Sequence, residues 1–179
     1  MTDIESLKYP IGKFSMIENP TDANRQQWLN DLASLPGRLE SMTATLNEMQ
    51  LDTPYRPDGW TVRQVVHHLA DSHLNAFCRI KLVLTEESPV IKPYHEGEWA
   101  KMKDYYELPI DHSIGILRGL HARMVFVLKN MTTSERAKFY VHPQYGKNYP
   151  LETVMALYAW HSNHHLAHIE SLKKRNQWD

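Results

Sequence analysis

From Trp28 to Met49 the apolar residues Trp28, Leu32, Leu35, Leu39, Met42, Leu46 and Met49 follow one another at steps of 4, 3, 4, 3, 4 and 3. An α-helix turns every 3.6 residues, so this run lays one apolar seam along a helix of roughly residues 22–49. A single-seamed helix needs neighbours to cover it. Pro36 falls inside the run and predicts a kink. Three more segments carry the same period. Thr61 and Gln64 form a capping box that opens a helix over about 61–85, with Val62, Val66, Leu69, Ala76, Phe77, Ile80 and Leu84 on its apolar face. Ile114, Leu117, His121, Met124, Leu128 and Met131 mark a third helix over about 112–131, and Pro150 suits the first turn of a fourth over about 150–175. Four long amphipathic helices around one core predict an all-α four-helix bundle. Their order stays open, because the connections 50–60 and 86–111 are long.

The intervening segments are less regular. Arg56-Pro57-Asp58-Gly59 reads as a turn, and a short helix is expected over about 96–103. The aromatic, glycine-containing stretch 137–149 reads as a small hairpin or irregular loop. Residues 1–20 form an N-terminal arm to a single domain spanning 1–179. The only cysteine, Cys78, rules out a disulfide framework and is expected to be a small core residue. A net charge of −1 argues against a broad nucleic-acid or acidic-membrane surface. No apolar run approaches the ~18 residues of a membrane span. No basic-then-apolar leader opens the chain, so a cytoplasmic protein is expected.

Within the fourth helical pattern, WHSNHHLAHIESL (160–172) places His161, His164, His165 and His168 close together. On a helical wheel His161 and His165 lie ~40° apart and one turn from each other, so their imidazoles can converge on one point. His168 lies one turn further along the same stripe, and His164 falls to its edge. A histidine pair at i and i+4 is a spacing that holds a divalent metal from one helix, but it needs a third ligand. The second helix offers His67, His68 and His73. Periodicity alone selects His73, near the centre of the apolar face, over His67 and His68 at its edges. The alternative is a set of hydrogen-bonded core histidines, which becomes costly when several imidazoles are buried together. Ser162 stands where an H-E-x-x-H motif would carry its glutamate, so a zincin-type peptidase is not expected. Trp60, Tyr158 and Trp160 are expected to pack the core, and the loops 86–111 and 137–149 to shape a pocket.

GWTVRQVVHHLADSH (59–73) and YAWHSNHHLAHI (158–169), with YPIGKF (9–14), LDTPYRPDGW (51–60) and KLVLTEESPVIKPY (81–94), resemble the YfiT-like branch of the DinB superfamily. The resemblance covers nearly the whole chain. It implies a bundle in up-down-down-up order, a homodimer and one divalent metal, zinc or nickel, held by His68, His161 and His165. It therefore sets His68 against the His73 of the wheel. Asn163 departs from the family's histidine run, opposite the apolar stripe, and no loss of ligation is expected. His168, His121 and His73 remain as candidates to orient the ligands or to serve as acid–base groups. The chemistry implied is either metal-dependent hydrolysis of a small molecule or metal activation of a low-molecular-weight thiol, as in bacillithiol-type S-transferases. The missing peptidase glutamate and the wider family favour the thiol reading. A metal-binding module without turnover is the third reading.

Overall fold

A computed structural model describes residues 4–178; residues 1–3 of the expected arm and residue 179 of the expected domain lie outside them. Among the described residues the chain begins with α1 (Ile4–Lys8), followed by α2 (Asp22–Thr43), α3 (Glu48–Leu51) and α4 (Val62–Thr85). Two short helices, α5 (Glu96–Trp99) and α6 (Asp104–Glu107), lie in the long connection before α7 (Asp111–Lys129). After α8 (Thr133–Ala137) come β1 (Phe139–His142), β2 (Lys147–Pro150) and the last helix, α9 (Leu151–Asn176). The helix starts are written locally. Thr21 with Asn24 caps α2, Asn47 with Gln50 caps α3, and the expected box of Thr61 with Gln64 caps α4. Each cap gives an otherwise unpaired first-turn amide a side-chain acceptor.

Cross-helix pairs fix the directions of the four long helices. Arg25 meets Glu152 and Arg38 meets Asn163, so α2 and α9 run parallel. His67 meets Ser113 and His73 stacks on His121, so α4 and α7 run parallel. His68 and His73 pair with His165 and Tyr158 in the reverse order, so α4 and α9 are antiparallel. The order is up-down-down-up. Its long returning connection, residues 86–110, is stitched to β1 where Val141 donates to the Pro89 carbonyl and the Ile91 amide donates to Val141. Gly146, at φ +59°, turns β1 back into β2 in a conformation that other residues adopt only with strain.

The core is divided. One apolar cluster gathers around Trp28, Leu32, Phe77, Met124 and Met155, and a second around Leu35, Leu39, Val66, Leu117 and Ile169. Histidines lie between them: His73 on α4 and His121 on α7 are buried where the two clusters meet, and His161 on α9 is half-buried beside them. Such a polar layer is stable only if its members satisfy one another.

Two expectations fail here. The first seam does not continue to Met49, which is 80% exposed. α2 ends at Thr43, whose hydroxyl donates back to the Leu39 carbonyl, and Asn47 then starts a separate helix that buries Leu51 instead. Cys78 is exposed rather than a core residue, because it lies on the α4 face turned away from the bundle axis. α2 itself runs unbroken across Pro36. Proline has no N–H for the carbonyl four residues back, and that carbonyl, Leu32, accepts instead from His121 Nδ1 at 2.6 Å.

Candidate metal centre

α4 packs against α9 with His68 turned towards it. There His161 and His165 sit one helical turn apart. His68 Nε2 lies 3.3 Å from His161 Nε2, and His165 Nε2 lies 3.2 Å from the same atom. One ring nitrogen from each of the three lies within 4.8 Å of the others. A tetrahedral zinc site with nitrogens at ~2.0–2.1 Å places its ligand atoms roughly 3.3 Å apart. The spacing therefore fits a divalent cation.

The outer hydrogen bonds make the same point through tautomers. His168 Nε2–H donates to the Lys8 carbonyl at 3.0 Å, which leaves His168 Nδ1 as an acceptor. His165 Nδ1–H fills it at 3.4 Å, so His165 Nε2 carries a lone pair. On the other side, His161 Nδ1 lies 3.1 Å from His73 Nε2, and in the tautomer with the proton on His161 Nδ1 the Nε2 atom likewise carries a lone pair. Lone pairs aimed at one point repel one another unless a cation lies between them. Burial pushes the His68 imidazole down to about 4 and holds His161 and His165 well below the ordinary histidine value, with neighbouring imidazoles adding to the effect. All three are neutral at pH 7, which is the ligating form.

The remaining predicted residues separate by geometry. His73 is fully buried, as the wheel requires, but it supports His161 rather than joining the cluster. The wheel identifies the centre of an apolar face, whereas the cluster sits to one side, where α4 and α9 open onto a cavity. His121 is one layer further out, stacked on His73 with ring centroids 4.8 Å apart. His67 points to the opposite side, bonded to Ser113 and the Leu108 carbonyl. Ser162 donates to the Tyr158 carbonyl within α9, and Asn163 accepts from Arg38, so neither faces the cluster.

The cavity beside the three histidines has a volume of about 310 Å³. Trp60, Tyr158 and Trp160 line it, which corrects the expectation that they only pack the core. Trp60 sits over His68 at 4.6 Å and Trp160 stacks on His164 at 4.5 Å. The two connections supply the far wall through Tyr94, Glu96, His142 and Gln144. Arg79, from the last third of α4, completes it. No periodicity marks His142 in the sequence; only the stitching of residues 89–91 to β1 brings it to this place, opposite the face of α4 that carries Arg79.

A bundle carrying a histidine layer that opens onto a small-molecule cavity defines a class of metal-site helical proteins, and comparison with known proteins gives the family. The chain belongs to the DinB superfamily, whose model matches residues 31–169. It is 47% identical to a Bacillus pumilus (strain SAFR-032) protein named "Putative metal-dependent hydrolase", over 97% of this chain and 99% of that one. It is also 47% identical to an Oceanobacillus iheyensis protein with the same description, over 96% and 98%. Among solved structures it is similar to YfiT from Bacillus subtilis, described as "a probable metal-dependent hydrolase with an unusual four-helix bundle topology". There the TM-score is 0.94 at 41% identity, covering 97% of this chain and 99% of that one.

Proposed function

We propose that His68, His161 and His165 hold one divalent cation, zinc or nickel, and that the protein is a metal-dependent hydrolase of a small molecule bound in the adjoining cavity. The observation that carries this reading is the convergence of three neutral imidazoles on the cavity wall. A site with three protein ligands keeps a position free for chemistry. When bound there, the cation supplies Lewis acidity that turns a water or thiol into a nucleophile near neutral pH. The chain's own residues do the rest. His73 and His168 hold the tautomers of His161 and His165, and Trp60 and Tyr158 shield the reacting region from bulk water. His142 and His164, whose Nδ1 atoms have no hydrogen-bond partner among the described residues, are the groups available to take or give a proton.

A second reading has the same cation activate a low-molecular-weight thiol for transfer to an electrophile. It is favoured by the shortage of carboxylates: the acid on the cavity lining is Glu96, which is exposed, so no buried carboxylate there serves as a base for water. Assays on the metal-loaded protein separate the two. Hydrolysis requires turnover of an activated ester with metal and water alone, at a rate rising with pH through a value near ~7. Thiol transfer requires near-silence until a thiol is added, followed by equal consumption of thiol and of chlorodinitrobenzene. Silence in both assays with a full site would leave a metal-binding module without turnover.

We also propose that the protein forms a homodimer. Leu74, Cys78 and Leu82 repeat every four residues on the exposed face of α4, and Phe126 of α7, 71% exposed, shares a groove with Lys81 beside them. An apolar face of this kind is what a second copy would cover. Among the described residues no helix is long and apolar enough to cross a membrane.

A further inference from the structure

Along α4, His68, Ser72 and Arg79 are separated by 4 and 7 residues, and on α9 Tyr158, His161 and His165 are separated by 3 and 4. Both series lie on the face turned to the cavity, so one wall runs from the histidine cluster at one end to Arg79 at the other. The helix rise from His68 to Arg79 is about 16 Å, shortened by the backward tilt of a long arginine side chain towards the helix N-terminus. Arg79 is half-buried, lies over the Tyr140 ring at 5.9 Å and, like Arg56, forms no salt bridge among the described residues, whereas Arg25, Arg63, Arg118 and Arg136 each pair with a carboxylate. An aromatic face meets the plane of a guanidinium but leaves its N–H donors free for an anion.

What surrounds Arg79 does not supply that anion. Its charge acts on the phenols of Tyr140 and Tyr158, but burial outweighs it and keeps both hydroxyls protonated. Burial likewise keeps the Tyr94 phenol protonated, against the opposing hydrogen bond from Ser72. The three clustered histidines are neutral, and a bound cation would add positive charge. Glu96, the acid of the lining, is exposed at its rim. This end of the cavity thus offers a fixed cation and several hydroxyls, in a space of about 310 Å³. The planar fork of arginine matches a carboxylate or a phosphate.

We infer that Arg79 is a specificity residue: it anchors an anionic group, carboxylate or phosphate, at the end of the substrate remote from the reacting bond. The inference rests on the preceding reading only in placing that bond at the three histidines. The test is binding, followed by the indole N–H signals of Trp60 and Trp160 in nuclear magnetic resonance. The probes are phenylacetate, phenyl phosphate and the uncharged phenylacetamide, titrated into zinc-loaded protein and into metal-free His68→Ala. One or both anions should bind saturably and about tenfold or more tighter than the amide, the usual value of a charge-assisted contact, and the tighter anion names the group. Arg79→Gln should erase that preference in both proteins without changing zinc content, and Arg79→Lys should keep part of it. A merely structural arginine would instead lower the melting temperature and leave the acid-to-amide ratio unchanged. Equal affinity for acid and amide, no saturable binding of either anion, or a preference lost in His68→Ala but kept in Arg79→Gln would each overturn the inference. Failure of zinc loading or of turnover, with the Arg79-dependent preference intact, would count against the metal-enzyme reading alone.

Discussion

At the scale of single residues, the candidate site depends on which imidazoles face one another and which stand behind. On the proposed reading, removing His68, His161 or His165 takes away a ligand, whereas removing His73 takes away only the hydrogen-bond partner of His161 Nδ1. His68→Ala, His161→Ala and His165→Ala are each expected to abolish stoichiometric metal binding in metal analysis of the purified variants. His73→Ala should retain a site weakened by about 10–100-fold, the usual effect of losing an outer hydrogen bond to a ligand. Full occupancy in His68→Ala with loss in His73→Ala would return the third ligand to His73.

At the scale of elements, α2 and α7 are joined by a defect and its repair. Pro36 leaves the Leu32 carbonyl without its helical donor, and His121 supplies one from the neighbouring helix. Replacing His121 by Phe should cost about 1–3 kcal/mol, because a buried carbonyl is then left unpaired. In a Pro36→Ala background the restored N–H can serve that carbonyl, so the same substitution should cost less. A double-mutant cycle by denaturant unfolding should give a coupling of about 1 kcal/mol; strict additivity would mean that the two features are unrelated. The cavity wall is another property of element packing. It forms only because residues 89–91 pair with Val141, which brings Tyr94 and His142 over the face of α9 that carries the cluster.

At the scale of the whole molecule, the histidine layer makes the metal-free fold sensitive to acid. Burial lowers His68, His121, His164 and His168 to about 4. From about 6.5 downwards the unfolded chain binds protons that the folded chain refuses, so stability falls as pH drops through the window to about 4, and His73, His161 and His165, held well below the ordinary value, carry the fall further. Denaturant midpoints of the metal-free protein should decline steeply from pH 6.5 to 4, and metal should raise them at pH 7. A flat profile would contradict the burial of these groups. The proposed dimer predicts twice the 21.0 kDa of one chain in light scattering at micromolar concentration. Phe126→Glu should move it towards one.

The sequence by itself determined the helices, because helical period and capping are local. The seams of α4, α7 and α9 and the box at Thr61 were legible residue by residue, and so was the convergence of His161 with His165, since both lie on one helix. The resemblance of two histidine motifs supplied the expected family, which the comparisons establish. Three things were decided only in the folded chain. The end of α2 came from the cap at Asn47 competing with a seam that continued by coincidence to Met49. The standing of His68 against His73 depended on how α4 is rotated against α9, which a wheel drawn for one helix cannot contain. The cavity wall came from contacts between segments about fifty residues apart, for which no local period exists. His142 was therefore silent in the sequence, and the helical spacing of Arg79 from His68 said nothing of what lies opposite it: a side chain's surroundings are set by what packs against its element, not by its own neighbours in the chain.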